Sequence, residues 1–174
     1  ATASGLMNVH QFGWHQPGLQ LAGINESQLS AIKPATFMRS NLCPKAQRLL
    51  PQVQDTLFCI GSSDGCMANV GSGALQNGIG ALTIGTSAAV RVATSKPVSD
   101  FGSMIFSYPI DQTTFISGGA LNNGGNAVHW AIKKLKHLLH PDRKDYETFY
   151  GQIGDIPAGS EGLLCLPYFI GERA

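Results

Sequence analysis

The stretch CIGSSDGCMANVGSGALQNGIGALTIGTSAAV, residues 59–90, decides how the chain is read. It holds one carboxylate, Asp64, just after the apolar run TLFCIG (56–61), and one tight turn, Gly85-Thr86-Ser87, between two apolar runs. A continuous apolar run of strand length suits a central strand buried on both faces. Residues 56–61 are therefore expected to form one, followed by a small-residue helix over 65–74. Ligands of open α/β sheets gather at the carboxyl ends of such strands. A carboxylate there can take a proton from a substrate hydroxyl, or it can cap the helix that follows, which Asp does well. The amides and hydroxyls of Gly85-Thr86-Ser87 can wrap an anion, phosphate especially, although Thr-Ser is also ordinary β-turn chemistry. Gln76-Asn77-Gly78 is a turn signal and marks the expected boundary between two domains, 1–76 and 77–174.

Working outward, residues 80–94, 103–110 and 113–119 read as an antiparallel meander of three or four strands. Gly118-Gly119 and Asn122-Asn123-Gly124-Gly125-Asn126 then lead into a helix over 127–139. That helix carries an apolar stripe at Val128, Ala131, Ile132, Leu135, Leu138 and Leu139. Asn126 is its expected N-cap and Pro141 its stop. Glycines before a helix let an anion reach free amides at the positive end of the dipole; they also serve loops that need positive φ. A shorter helix is expected at 146–153, then a last apolar segment at 163–171. Upstream, 1–15 reads as a hairpin, 17–22 as a helix ending at Gly23, and Asn25 as a cap for a turn through 26–32. Lys33–Leu42 reads as extended, and Pro44 as the start of a short helix that Pro51 ends.

Composition bounds the rest. Of 174 residues, 43% are hydrophobic and only 13% charged, against a usual charged share of about 25%. A net charge of +1 argues against nucleic acid or an anionic membrane as partner. No apolar run approaches the roughly 18 residues of a membrane span, and no secretory leader pattern opens the chain. Cys43, Cys59, Cys66 and Cys165 form no C-x-x-C pair, and the last three lie in apolar runs. They are expected to be buried, reduced thiols of a cytoplasmic protein. Neither cysteines nor histidines show metal-ligand spacing. His10, His15, His137 and His140 read as surface residues, and Trp14 and Trp130 as packing residues. The chain opens on ATASGL and stops at GERA, which reads as an internal piece of a longer protein.

Strand–Asp–helix, hairpin with Gly-Thr-Ser, then glycine loop–helix is an order with a known parallel. GSSDGCMANVGSGAL (61–75), ALTIGTSAAVR (81–91), GGALNNGGNAVHW (118–130) and GLLCLPYFIGERA (162–174) resemble the FGGY carbohydrate kinases of the actin, Hsp70 and hexokinase superfamily. The hairpin TASGLMNV…FGWH and LAGI (21–24) match the segment before them. GGALNNGGN and LPYFIGERA are most similar to the gluconate kinases of the family. The resemblance implies an α/β fold, parts of two RNase H-like domains with mixed sheets flanked by helices. Residues 1–76 would end the first, sugar-binding domain, and 77–174 would begin the second, ATP-binding one.

By the same resemblance Asp64 is the base that activates the sugar hydroxyl, and Gly65 helps line the sugar pocket. Gly85, Thr86 and Ser87 fall on a phosphate loop of the nucleotide site. Gly124, Gly125 and His129 fall on the nucleotide-contacting loop and first helical turn, where glutamine often replaces the histidine. ATP and Mg2+ are the implied cofactors and a sugar or sugar acid, foremost D-gluconate, the acceptor; a homodimer is compatible with this. The first phosphate loop, most sugar contacts and the adenine-holding segment of the family are not represented, so the isolated segment is expected to be inactive. Competing readings are a xylulose- or glycerol-type kinase, a non-catalytic actin-like binding module that does not need Asp64, and an unrelated small α/β domain with one closed core.

Overall fold

A computed structural model of the chain describes all residues except 54, 99, 101, 103, 170, 173 and 174. The expected strand at 103–110 therefore begins, and the segment at 163–171 partly lies, outside the described residues. By packing, the chain divides into two compact units, one of Ala1–Ala81 with Arg91–Gly119 and one of Leu82–Val90 with Ala120–Ala174.

The first unit opens with a hairpin of β1 (Met7–Asn8) and β2 (Gly13–Trp14), pairing Met7 with Trp14. Helix α1 (Gln16–Ala22) follows, capped by the His15 ring, which accepts from Gly18 N–H, and ended by Gly23 in the left-handed region. Asn25 does cap the next turn, but only over Glu26–Gln28, closed by a reciprocal box with Gln28. Pro44 starts α2 (Pro44–Leu49) as its fixed φ allows. The expected central strand at 56–61 is not central. Only β4 (Phe58–Cys59) is extended, paired antiparallel with β3 (Met38–Arg39), and Leu57 and Ile60 are exposed. The apolar run has a two-residue partner and no second layer over it within the unit. Cys43, Cys59 and Cys165 are exposed as well; Cys66 alone is buried among the four free thiols.

Helix α3 (Asp64–Gly71) leads to a sheet ordered β5 (Gly80–Ile84), β6 (Ala88–Thr94), β8 (Phe115–Leu121), β7 (Phe106–Pro109). The outer ends of β5, β6 and β8 belong to the second unit. A meander would place β7 beside β6. Instead β8 takes that position and β7 becomes the edge, where Pro109 costs the ladder no inner hydrogen bond. Asp111 closes the β7–β8 connection, accepting from the Thr113 and Thr114 N–H groups. The core of the unit gathers Cys66, Ala93, Ile110 and Ile116, with Met67 and Tyr108 packed against it. Ile116 is fully enclosed. Ile116→Ala is expected to cost about 2–5 kcal/mol of unfolding free energy, read by urea denaturation; a loss below about 1 kcal/mol would show that this core does not hold the unit.

The second unit contains the Gly85-Thr86-Ser87 turn, helix α4 (Gly125–Leu135) and helix α5 (Arg143–Gly154). Helix α4 starts earlier and stops sooner than its stripe suggests. Gly124, not Asn126, is the N-cap, and the chain leaves the helix at His137, whose φ is 57°. Ile132 is buried, but Leu135 and Leu139 are exposed. Asp142 caps α5 in a reciprocal box with Asp145. Trp130 stacks on Phe169 at 4.0 Å. Each unit leaves large apolar side chains exposed, Leu21 and Ile60 in the first and Ile84 and Leu164 in the second. No helix among the described residues is long and apolar enough to cross a membrane.

Candidate functional site

In the first unit Asp64 occupies the first position of α3, not its cap. Ser63 is the N-cap, extended at φ −62° and ψ 156°, and its hydroxyl accepts from Cys66 N–H at 3.4 Å. The cap being filled by Ser63, the Asp64 carboxylate is exposed and turns only to its neighbour, accepting from Gly65 N–H at 2.7 Å.

Gly65 lies against a cation of β6. A Cβ at this position would stand 2.8 Å from Arg91 Nε and 2.9 Å from Nη2, closer than atoms tolerate without moving. The Arg91 guanidinium therefore lies on the Gly65 α-carbon. Helix α3 is held to β6 by Asn69, wholly buried, whose Nδ2 donates to Arg91 O (3.4 Å) and Ala74 O (3.3 Å). A cavity of about 330 Å³ in the same unit has Trp14, Lys33, Gly61, Ser62 and Ser63 among its walls.

In the second unit the Gly85-Thr86-Ser87 turn and the glycine loop form one object. Gly124 N–H donates to Thr86 O (3.1 Å), Gly125 N–H to Gly85 O (2.7 Å) and Asn126 N–H to Thr86 O (3.2 Å). The sequence reading left the amides before α4 free for an anion. They are instead spent on carbonyls of the turn, so Gly124 and Gly125 build the cradle rather than offer these donors. What the cradle presents is the exposed turn itself. The Thr86 and Ser87 N–H groups and hydroxyls make no hydrogen bond to the described residues. Two amides and two hydroxyls on a tight turn suit phosphate oxygens. His129 is exposed on α4, and its Nδ1 shares a 2.6 Å hydrogen bond with Tyr146 Oη of α5. That leaves Nε2 as the ring atom open to a ligand.

Two further contacts escaped the sequence. Arg91 is 26 positions from Gly65, and although it closes ALTIGTSAAVR (81–91), nothing in that run points to the contact. Asn122 and Asn123 are tied to the end of the chain, Asn122 N–H donating to Glu172 Oε1 (2.6 Å) and Asn123 Nδ2 to Gly171 O (3.0 Å). The one signal for this was a lone carboxylate, Glu172, closing an apolar segment. Among the described residues no three His, Cys, Asp or Glu side chains converge on a metal position.

No protein-family model matches the chain. It is 34% identical to the gluconokinase of Bacillus subtilis (strain 168), in an alignment that takes in all of this chain and 35% of that protein. The gluconate kinase from Lactobacillus acidophilus superposes with a TM-score of 0.83 at 32% identity, over 98% of this chain and 34% of that one. The ligand-bound xylulose kinase from the same species gives 0.82 at 33% identity, over 98% and 34%. The chain thus spans about a third of the length of the relatives it matches, and its fold is that of a segment of these kinases.

Proposed function

The chain belongs to the FGGY family of carbohydrate kinases, and from that premise we propose that the protein carrying it phosphorylates a sugar or sugar acid with ATP, D-gluconate foremost. The observation that carries this reading is the 34% identity to a gluconokinase along the whole chain. We assign residues 1–76 to the end of the sugar-binding domain and 77–174 to the start of the ATP-binding domain.

In this reading Asp64 takes the proton of the acceptor hydroxyl as its oxygen meets the γ-phosphorus. Its exposure and its freedom from capping suit that task. Gly65 borders the acceptor. Thr86 and Ser87 donate to ATP phosphate oxygens from the turn that Gly85, Gly124 and Gly125 shape, and His129 Nε2 meets the nucleotide. The four donors of the turn fit such an anion. Mg2+ would neutralise the phosphate charge and be held chiefly by the nucleotide's own oxygens. Four free thiols and the use of ATP suit the cytoplasm.

A coupled ADP assay of the full-length protein across D-gluconate, D-xylulose, D-ribulose and glycerol tests the reading. The expected result is a kcat/KM for gluconate at least about tenfold above the others, a gap of roughly 1.4 kcal/mol in transition-state binding. Preference for xylulose would move the protein to the second reading, which the 33% identity to a xylulose kinase supports. No turnover with any acceptor would leave the kinase reading without support.

A further inference from the structure

The cation beside the Asp64 turn is the last residue of ALTIGTSAAVR (81–91), and its guanidinium lies on the α-carbon of Gly65. We infer that Arg91 is a further catalytic residue, whose guanidinium carries the charge of the phosphoryl group as it passes to the acceptor. This rests on the reading of Asp64 as the base. In that step the acceptor O–H gives its proton to Asp64, and its oxygen forms the new bond to the γ-phosphorus of ATP. The bond from that phosphorus to the β–γ bridging oxygen breaks, its electron pair leaving with ADP. Negative charge spreads over the three remaining oxygens, and catalysis is mostly a matter of meeting it.

Three observations converge on Arg91. A base works within about 3 Å of the oxygen it serves. The Asp64 carboxylate is bonded to Gly65 N–H at 2.7 Å, and the guanidinium rests on the α-carbon of the same Gly65. The cation thus lies against the residue that follows the base. Its burial is also unlike that of the unit's other cations. Lys33, Arg39, Lys45, Arg48 and Lys96 are exposed, whereas Arg91 is half-buried. Finally, its backbone is fixed, since the carbonyl of Arg91 accepts from the buried Asn69 of α3. The strand that carries the guanidinium is thus tied to the helix that carries the base. Arginine suits the task, because its planar fork matches phosphate oxygens and stays charged at any working pH.

The test uses the full-length protein, MgATP and the best acceptor of the panel. Arg91→Ala is expected to lower kcat by about a hundredfold or more, the scale seen when one transition-state donor is lost. The acceptor KM should stay within about threefold, because the lost contact is made in the transition state. Arg91→Met, which keeps the stem and its packing, should lose as much. Methylguanidine should restore Arg91→Ala at least about tenfold, since the missing group is the guanidinium itself. Gly65→Ala, which pushes the guanidinium aside, should match Arg91→Ala, and the double variant should fall no further. An unchanged kcat in both Arg91 variants, or a loss that methylguanidine does not relieve, overturns the inference. Asp64→Asn separates the two layers: if it keeps full turnover, the base reading itself fails. If it abolishes turnover while Arg91→Met turns over normally, only the role of Arg91 fails.

Discussion

Asp64→Asn is expected to lower kcat by about a thousandfold, within the 10²–10⁴ range that a positioned general base supplies, while the protein stays folded. The separation of activity from stability follows from where the residue sits. Ser63, not Asp64, caps α3, so the substitution leaves the cap hydrogen bond in place. The one bond that Asp64 makes here is accepted by Oδ1 from Gly65 N–H, and an asparagine Oδ1 accepts it equally well. The side chain is exposed, so no cavity opens. What disappears is a charge near the helix N-terminus, worth about 0.3–1 kcal/mol at an exposed site. Steady-state kinetics and thermal melting of the same preparation check both halves. A variant within a few-fold of the parent kcat would remove Asp64 from the chemistry; a collapse of melting with activity would make it structural.

Local punctuation was legible in the sequence because each signal acts within a few residues. Gly23 ends α1 since glycine takes the left-handed conformation at no cost. Pro44 opens α2, and the turn at 85–87 joins two strands as its neighbours demanded. Features set by distant partners were not legible. TLFCIG has the composition of a central strand, but composition does not say what covers a strand, and Leu57 and Ile60 stand exposed. Nothing near β7 announces that β8 will come between it and β6. The glycines before α4 suggest open amides, whereas the carbonyls that take those amides lie some 38 positions earlier (Gly124 against Thr86). Arg91 on Gly65 is the same kind of contact. The candidate site was thus legible as a set of residues, and its assembly was not.

That assembly makes Gly124→Ala the most damaging small substitution in the second unit. A Cβ on Gly124 would fall on the Ser87 carbonyl oxygen, with the Ser87 carbonyl carbon at 2.5 Å and Gly85 O at 2.9 Å. All three are main-chain atoms, so no rotamer change relieves the clash. Relief requires the loop to part from the turn. Parting breaks the bonds that Gly124, Gly125 and Asn126 donate to Gly85 and Thr86, each worth about 1 kcal/mol net. Together with overpacking of about 1–3 kcal/mol, the expected loss of stability is about 4–6 kcal/mol. The turn that presents the Thr86 and Ser87 donors would then be unsupported, so KM for ATP should rise at least about tenfold in the full-length protein, as when preorganised contacts loosen. Gly119→Ala is the control: a Cβ there meets nothing within 4 Å, and its effect should stay within about 0.5 kcal/mol. Because Gly124 bears no side chain and its N–H is already engaged, a raised KM for ATP in its alanine variant would come from the turn it supports. Equal melting points and equal KM values for the two variants would instead mean that the loop and the turn do not form one cradle.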